Sequence, residues 1–163
     1  MKVLGIDPGT GRLGWAILEK KDGKENMIEC GCFETKTNSN QADRLLKIFN
    51  FLNQLIAKHK PDVAAIENLF FTKNAKTVMS VSEARGVVLL ACKQAGLDIN
   101  NYTPLQIKSA LTGHGKADKK QVQYMVTQIL KLDKIPQPDD AADAIATGLT
   151  HFSHSQSGVT IKA

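Results

Sequence analysis

Three apolar segments of the sequence carry acidic side chains at one end. The segment 2–7 ends on Asp7, "DVAAIE" ends on Glu67, and "DDAAD" at 139–143 begins an apolar helix. Taken singly, an acid at a strand end is usually solvated, and acids in the first turn of a helix stabilise its dipole. If the first two segments are adjacent parallel strands, both of their carboxylates project from one sheet edge. Together, the three segments predict one shared acidic site.

Helical spacing does not decide which acids of "DDAAD" belong to that site. Asp140 and Asp143 are three residues apart and share a helix face, and Asp139 and Asp143, four apart, share one as well. Two ionised carboxylates about 4 Å apart repel by roughly 4 kcal/mol at an effective dielectric constant of about 20. Four of them in one pocket must either take up protons or bind hard divalent cations such as Mg²⁺. A pair of such ions roughly 3.5–4 Å apart is a common apparatus for phosphodiester hydrolysis.

A lysine-rich stretch lies beside the acidic helix. Residues 101–134 contain six lysines and two acids, a balance of +4 within a formal net charge of +5. Lysines on a helix are often only a solvated face, but next to a carboxylate pocket they favour a phosphate-backbone substrate. In "FFTKNAK" at 70–76, one phenylalanine could stack on an unpaired base, and the alternative is that both pack in a core or interface.

Hydrophobic periodicity predicts the elements that position these residues. Residues 2–7, 12–20 and 26–35 are predicted strands of an antiparallel meander, with the Asp-Gly turn of "KDGK" between the last two. The remaining predicted elements are a helix closed by Pro61, a strand at 62–67, a helix at 75–95, a strand at 98–103, a helix with Thr103 as N-cap and Pro104 as its first residue, a helix beginning at "KKQVQYMV", and a helix opened by Pro138. This order predicts an α/β fold, a mixed sheet with helices on its faces.

Composition limits the class of protein. The chain has 163 residues, 42% hydrophobic and 23% charged, with a pI near 9.1, which suits one globular domain. We expect that domain to span 1–153, followed by a polar, flexible tail at 154–163. The apolar runs are too short for a secretory segment or a membrane span, so we expect a cytoplasmic protein without a membrane partner. Three cysteines without a metal-binding spacing (Cys30, Cys32 and Cys92) are interpreted as reduced, packed thiols.

Phosphate-binding loops do not explain the glycines that follow Asp7. Residues 9–14 match G-x-G-x-x-G, but a strand and a hairpin turn follow where a dinucleotide-binding loop opens a helix. A Walker A loop would end in Gly-Lys-Ser/Thr, which is missing here. An actin-like nucleotide site begins with a similar hairpin but normally needs two such domains, and the chain is too short for both.

Five stretches of the sequence resemble the RuvC Holliday-junction resolvases, in order over residues 1–152. They are "GIDPGTGRLGWAI", "IENLFF", "NAKTVMSVSEARGV", "TPLQIKSALTGHGKADKKQVQYMV" and "PDDAADAIATGLTH". The resemblance implies a ribonuclease-H-like fold with a mixed five-stranded sheet, and a homodimer that works alongside a branch-migration motor. It also implies paired symmetric nicking of four-way DNA junctions with two Mg²⁺ ions per site, for which Mn²⁺ could substitute, leaving 5′-phosphate and 3′-hydroxyl ends. A non-catalytic junction-binding module on the same fold is the alternative.

The resemblance also assigns roles to particular residues. It implies that the four metal-binding and catalytic acids are Asp7, Glu67, Asp140 and Asp143, which selects Asp140 over Asp139. It places the aromatic side chain that probes the junction at Phe70. It implies DNA-binding lysines at Lys108 and Lys119, the latter also catalytic, with Lys120 as a further DNA-binding candidate.

The helix predicted at 75–95 is a candidate dimer interface. Its small residues Ala84, Gly86 and Ala91 would permit close approach of a second copy. The alternative is that this helix packs on the protein's own sheet. A two-fold dimer would present two identical sites to the two strands of a four-way junction that are cut.

Overall fold

The computed structural model describes residues 1–68 and 75–156. Within them, five strands form one sheet, and five helices pack around it. The strands are β1 (Lys2–Asp7), β2 (Arg12–Lys21), β3 (Lys24–Glu34), β4 (Val63–Glu67) and β5 (Asp98–Tyr102). The helices are α1 (Gln41–His59), α2 (Ala75–Gln94), α3 (Pro104–Thr112), α4 (Lys119–Leu130) and α5 (Asp139–Gln156). The element order and the mixed sheet are those predicted from the sequence.

The first three strands form the predicted meander. β1 pairs antiparallel with β2, and β2 pairs antiparallel with β3, which lies at the edge of the sheet. The turn between β2 and β3 places Asp22 and Gly23 at φ of 52° and 74°. Two successive residues with positive φ favour the right-handed twist of a tight hairpin, which is why an Asp-Gly pair predicts such a turn.

The second half of the sheet is parallel. After β3 the chain crosses through α1, and β4 then pairs parallel with β1, with Ile6 opposite Ile66. β5 adds parallel to β4, so the strand order is β3-β2-β1-β4-β5. The condition set by the sequence analysis, that the strands ending on Asp7 and Glu67 are adjacent and parallel, is therefore met.

Each face of the sheet carries its own hydrophobic core. Ile6, Ile66 and other apolar strand residues pack against α1 and α2 on one face. On the opposite face, Val3 and Ala65 belong to a core that includes residues of α3, α4 and α5. Because side chains alternate along a strand, the acids that follow Ile6 and Ile66 project toward the face covered by α5.

Helix α5 lies directly against the backbone of β1 and β2. A Cβ atom added to Gly5 would overlap the carbonyl oxygen of Ala144, and one added to Gly14 would overlap that of Asp140. Four of the five buried apolar residues between 141 and 146 are alanines, which keeps this approach close. These small residues set the distance between the first turns of α5 and the ends of the strands.

Other predictions from the sequence have mixed outcomes. Ala84 and Ala91 of α2 are fully buried in the protein's own core, so the interface prediction is wrong for these two residues. A Cβ atom added to Gly86 would meet no other atom within 4 Å.

Helix α5 continues to Gln156, three residues beyond the expected domain end, and 157–163 lies outside the described residues. In the part of the chain that the structure describes, we find no helix with the length and apolarity of a membrane span.

Candidate active site

The ends of β1 and β4 bring two of the predicted acids together. Asp7 is the last residue of β1, and Glu67 is the last residue of β4. Their strands are hydrogen-bonded neighbours that run in the same direction. Both carboxylates therefore lie at one sheet edge, about one strand spacing apart along the sheet.

The first turns of α5 supply the other acids. The helix begins at Asp139, directly after Pro138, whose carbonyl oxygen accepts a hydrogen bond from the amide of Ala141 (2.9 Å). Because α5 packs against Gly14 of β2, Asp143 and Asp140 lie close enough to Asp7 for their charges to raise its pKa. The structure thus brings all four predicted acids into one electrostatic cluster.

Burial and mutual repulsion oppose ionisation in this cluster. Burial, with the nearby charges of Asp143 and Asp140, raises the pKa of Asp7 from 3.8 to about 7. Burial, with the charges of Asp7 and Asp143, raises the pKa of Glu67 from 4.5 to about 8. The pKa of Asp143 is also raised by burial, although Lys119 counteracts part of the effect. Carboxylates arranged in this way are stabilised by a cation of high charge density.

Cationic side chains already occupy part of the cluster. The ammonium of Lys119 lies 3.0 Å from Oδ2 of Asp143 and 3.1 Å from Oδ2 of Asp139. Partial burial opposes its charge, but the hydrogen bonds to these two acids prevail and raise the pKa of Lys119. On the other side, Nη1 of Arg12 lies 3.6 Å from Oδ2 of Asp140.

The two neighbouring acids at the start of α5 have different surroundings. Asp140 faces Arg12 and contributes to the field at Asp7. Asp139 is more exposed, with 56% of its side chain accessible, and binds Lys119 and Gln123. These hydrogen bonds, led by that of Lys119, lower the pKa of Asp139. Spacing leaves open which of the two acids belongs to the cluster. In the structure Asp140 lies close to Asp7, whereas Asp139 binds Lys119 and Gln123.

A cleft of about 180 Å³ opens beside the acids. Its lining includes Glu67 and Asp143 together with Lys108 and Lys119. Lys120 lies on a neighbouring groove of about 380 Å³ between the end of α3 and α4. Phe70, the predicted aromatic probe, lies outside the described residues.

The donor set suits a hard divalent cation, because it offers carboxylate oxygens in a half-buried, mutually repelling cluster. Among the described residues, no group of three or more Asp, Glu, His or Cys side chains is arranged to hold one ion in this conformation. Asp143 and Asp140 are instead paired with Lys119 and Arg12. A divalent ion that bound Asp143 would therefore compete with the ammonium of Lys119, which lies 3.0 Å from its Oδ2.

Comparison with known proteins assigns the family. The family model described as crossover junction endodeoxyribonuclease RuvC matches residues 3–151. The chain belongs to the RuvC family. The RuvC of Roseiflexus sp. (strain RS-1) is 50% identical over 150 residues, covering 92% of this chain and 89% of that relative. The RuvC of Caldicellulosiruptor saccharolyticus is 48% identical over 158 residues, covering 96% and 95%.

A solved RuvC structure has the same architecture. Thermus thermophilus RuvC in complex with a Holliday junction substrate superposes with a TM-score of 0.92 at 34% identity, covering 97% of this chain and 96% of that one. This likeness confirms the ribonuclease-H-like fold expected for a RuvC. It extends over both the meander and the helical half, as the sequence resemblance did.

Spacing in the sequence does not reveal three contacts at this RuvC site, those of Asp139 with Lys119 and Gln123 and that of Arg12 with Asp140. The spacing of the acids presents Asp139 only as an alternative to Asp140 and gives no indication that it binds Lys119. Arg12 and Asp140 are distant in sequence, so no spacing rule connects them. Gln123 carried a weak signal, since it lies one helical turn after Lys119 and therefore shares its face.

Proposed function

We infer that the chain is an endonuclease that resolves four-way DNA junctions by paired symmetric nicks. The observation that carries this inference is the family match over residues 3–151, with identities near 50% to crossover junction endodeoxyribonucleases. The structural likeness to an RuvC bound to a Holliday junction supports the same substrate. A helical surface rich in lysine beside the acidic cleft suits a DNA backbone.

The acids are proposed to hold two divalent ions, with Mg²⁺ as the expected metal and Mn²⁺ as a substitute. Asp7, Glu67, Asp140 and Asp143 would be the ligands, and their raised pKa values and mutual repulsion support this role. When bound, the ions would polarise an attacking water and neutralise charge on the leaving 3′ oxygen. The products would carry 5′-phosphate and 3′-hydroxyl ends.

The lysines are proposed to hold the scissile strand. Lys108 and Lys119 line the cleft that Glu67 and Asp143 also line, so their ammonium groups can contact a phosphate positioned at the acids. Lys119 is further proposed to act in catalysis, by stabilising charge on the phosphate as it reacts. Lys120 would contact the DNA outside the cleft, and Phe70 would stack on an unpaired base at the junction.

A homodimer is proposed to place two such sites on one junction. The outer face of α2 supports this, since Met79 and Leu90 are 67% and 60% exposed and lie eleven residues, or about three turns, apart. Gly86 lies between them with open space around it. A branch-migration motor is proposed as a further partner, and the cytoplasm as the place of action.

A cleavage assay with labelled synthetic DNA tests the proposed reaction. With Mg²⁺ the protein should nick a mobile four-way junction at symmetric positions and leave a linear duplex of the same sequence intact, and EDTA should stop the reaction. Asp7→Asn should retain junction binding and lose cleavage. Asp22→Asn, a matched change in the exposed β2–β3 turn, should leave both unchanged. Junction binding without cleavage in either Mg²⁺ or Mn²⁺ would establish the non-catalytic module instead.

The dimer is tested by the molar mass in solution. Leu90→Glu should convert the dimer to a monomer in light scattering, because a charge on an apolar interface is desolvated without a partner. Ile28→Glu alters another exposed apolar side chain, at 46% exposure on β3, and should leave the dimer intact. A wild-type protein that is monomeric at micromolar concentration would contradict the dimer.

A further inference from the structure

The ammonium of Lys119 is shared between two acids one helical turn apart. Its Nζ lies 3.0 Å from Oδ2 of Asp143 and 3.1 Å from Oδ2 of Asp139. Asp143 belongs to the proposed metal-binding cluster, whereas Asp139 is directed at α4. A divalent cation bound at the cluster would therefore compete with Lys119 for Asp143 but not for Asp139.

Asp139 holds α4 through both carboxylate oxygens. Its Oδ2 faces Lys119, and its Oδ1 accepts a hydrogen bond of 3.1 Å from Nε2 of Gln123. Lys119 and Gln123 are four residues apart, so one face of α4 presents both donors. Gln123 is buried, at 8% exposure, and a buried amide has few alternative positions. The carboxylate of Asp139 is thereby fixed on one side by a group that cannot readily move.

The backbone of Lys119 is equally well defined. It is the first residue of α4, directly after the N-cap Asp118, whose side chain accepts from the amide of Gln121 while the Gln121 side chain accepts from the amide of Asp118. Such reciprocal capping fixes the start of a helix. The remaining freedom of Lys119 is in its long side chain, and that freedom is limited by the acids that bind its ammonium.

We propose that Asp139 is a positioning residue for Lys119. It keeps the ammonium of Lys119 at the cleft when a divalent cation binds Asp143. The proposal rests on the proposed function, since it assumes that the cluster binds metal. In this arrangement a bound metal ion competes with Lys119 for Asp143, while the ion pair between Lys119 and Asp139 remains. Without Asp139, the incoming cation would have to displace Lys119 from its last acidic partner, and metal binding would be weaker.

A double-mutant cycle tests whether Asp139 acts through Lys119. The variants are Asp139→Asn, Lys119→Met and the double variant, each titrated with Mn²⁺ by calorimetry in the absence of DNA. Asparagine keeps an oxygen that can accept from Gln123 and removes only the charge that binds the lysine. Asp133→Asn is the matched control, because it removes one exposed acidic charge from the α4–α5 connection.

We expect Asp139→Asn to weaken Mn²⁺ binding by roughly two- to fivefold in the wild-type background, the range typical of an exposed ion pair. In the Lys119→Met background the same change should alter the affinity by less than about 1.5-fold, because contributions that act through one partner are not additive. Asp133→Asn should behave as the wild type. The melting temperature of each variant, measured without metal, verifies that the affinities refer to folded protein.

Equal weakening in both backgrounds would overturn the proposal, because Asp139 would then act directly on the metal or through its charge alone. An unchanged affinity of Asp139→Asn in the wild-type background would overturn it as well. These outcomes are distinct from failure of the proposed function, in which the wild type itself would neither bind Mn²⁺ nor cleave a junction. That last result would also remove the basis of the proposal.

Discussion

Replacing Asp7 by asparagine should make the metal-free protein more stable at alkaline pH while abolishing cleavage. Asp7 lies half-buried beside Asp143 and Asp140, and its removal from water is the largest reason why its pKa is raised from 3.8 to about 7. In the unfolded chain the carboxyl loses its proton near pH 4, whereas in the folded protein it keeps it to about pH 7. The folded state binds more protons between these values, so its stability falls as the pH rises through this window.

The size of the effect follows from these two values. A difference between 3.8 and about 7 corresponds to about 4 kcal/mol for holding Asp7 ionised in the folded protein. The stability lost through ionisation of Asp7 is about 2 kcal/mol at pH 5 and nearly the full amount at pH 8, from the same linkage relation. Asparagine does not titrate. The advantage of Asp7→Asn over the wild type should therefore grow by roughly 2–3 kcal/mol between pH 5 and pH 8.

Thermal or urea unfolding in EDTA at pH 5 and pH 8 measures this difference. For a chain of this size, 2–3 kcal/mol corresponds to a gain in melting temperature of roughly 5–10 °C. Mg²⁺ at pH 8 should raise the stability of the wild type more than that of the variant, because only the wild type keeps all four acids. The same pH dependence for Asp7→Asn and wild type would refute the argument, since Asp7 would then not be held protonated by its surroundings.

Three further outcomes are expected. The affinity for Mn²⁺ should rise between about pH 6 and pH 9, because Asp7 and Glu67, with pKa values of about 7 and about 8, lose their protons in this range. Equal affinity in calorimetric titrations at pH 6 and pH 9 would contradict this. Tyr102→Phe removes the 2.8 Å hydrogen bond to Nδ1 of the buried His151 and should lower the free energy of unfolding by roughly 1–2 kcal/mol, as measured by urea, with cleavage retained. Gly14→Ala should destabilise the fold by roughly 1–3 kcal/mol and reduce cleavage, because the new methyl overlaps the carbonyl of Asp140. In the same unfolding measurement Gly86→Ala should not destabilise the subunit, because its new methyl meets no other part of the chain within 4 Å.

Most of the fold could be predicted from local pattern. The period-two strands, the Asp-Gly turn, and the Thr103-Pro104 helix start each depend on interactions within a few residues. The capping box of α3, in which Thr103 and Gln106 bind each other's backbone amides, shows how such a signal becomes a defined helix start. Most boundaries differ by a residue or two and α5 extends further, to Gln156, since helix and strand ends depend on neighbouring elements. The prediction for α2 failed at Ala84 and Ala91, because a small residue permits close approach to the protein's own sheet as readily as to a second chain.

The sequence by itself determined which elements carry acids at one end and, through the resemblance to the RuvC family, which four acids are proposed as metal ligands. Only the tertiary structure decided that Asp139 turns to Lys119 and Gln123 on α4 while its neighbour Asp140 lies near Asp7 and Arg12. The physical reason is range. Spacing rules act within one helix or strand. The different partners of Asp139 and Asp140 depend on which side chains the packing of α4, α5 and β2 brings within a few ångströms.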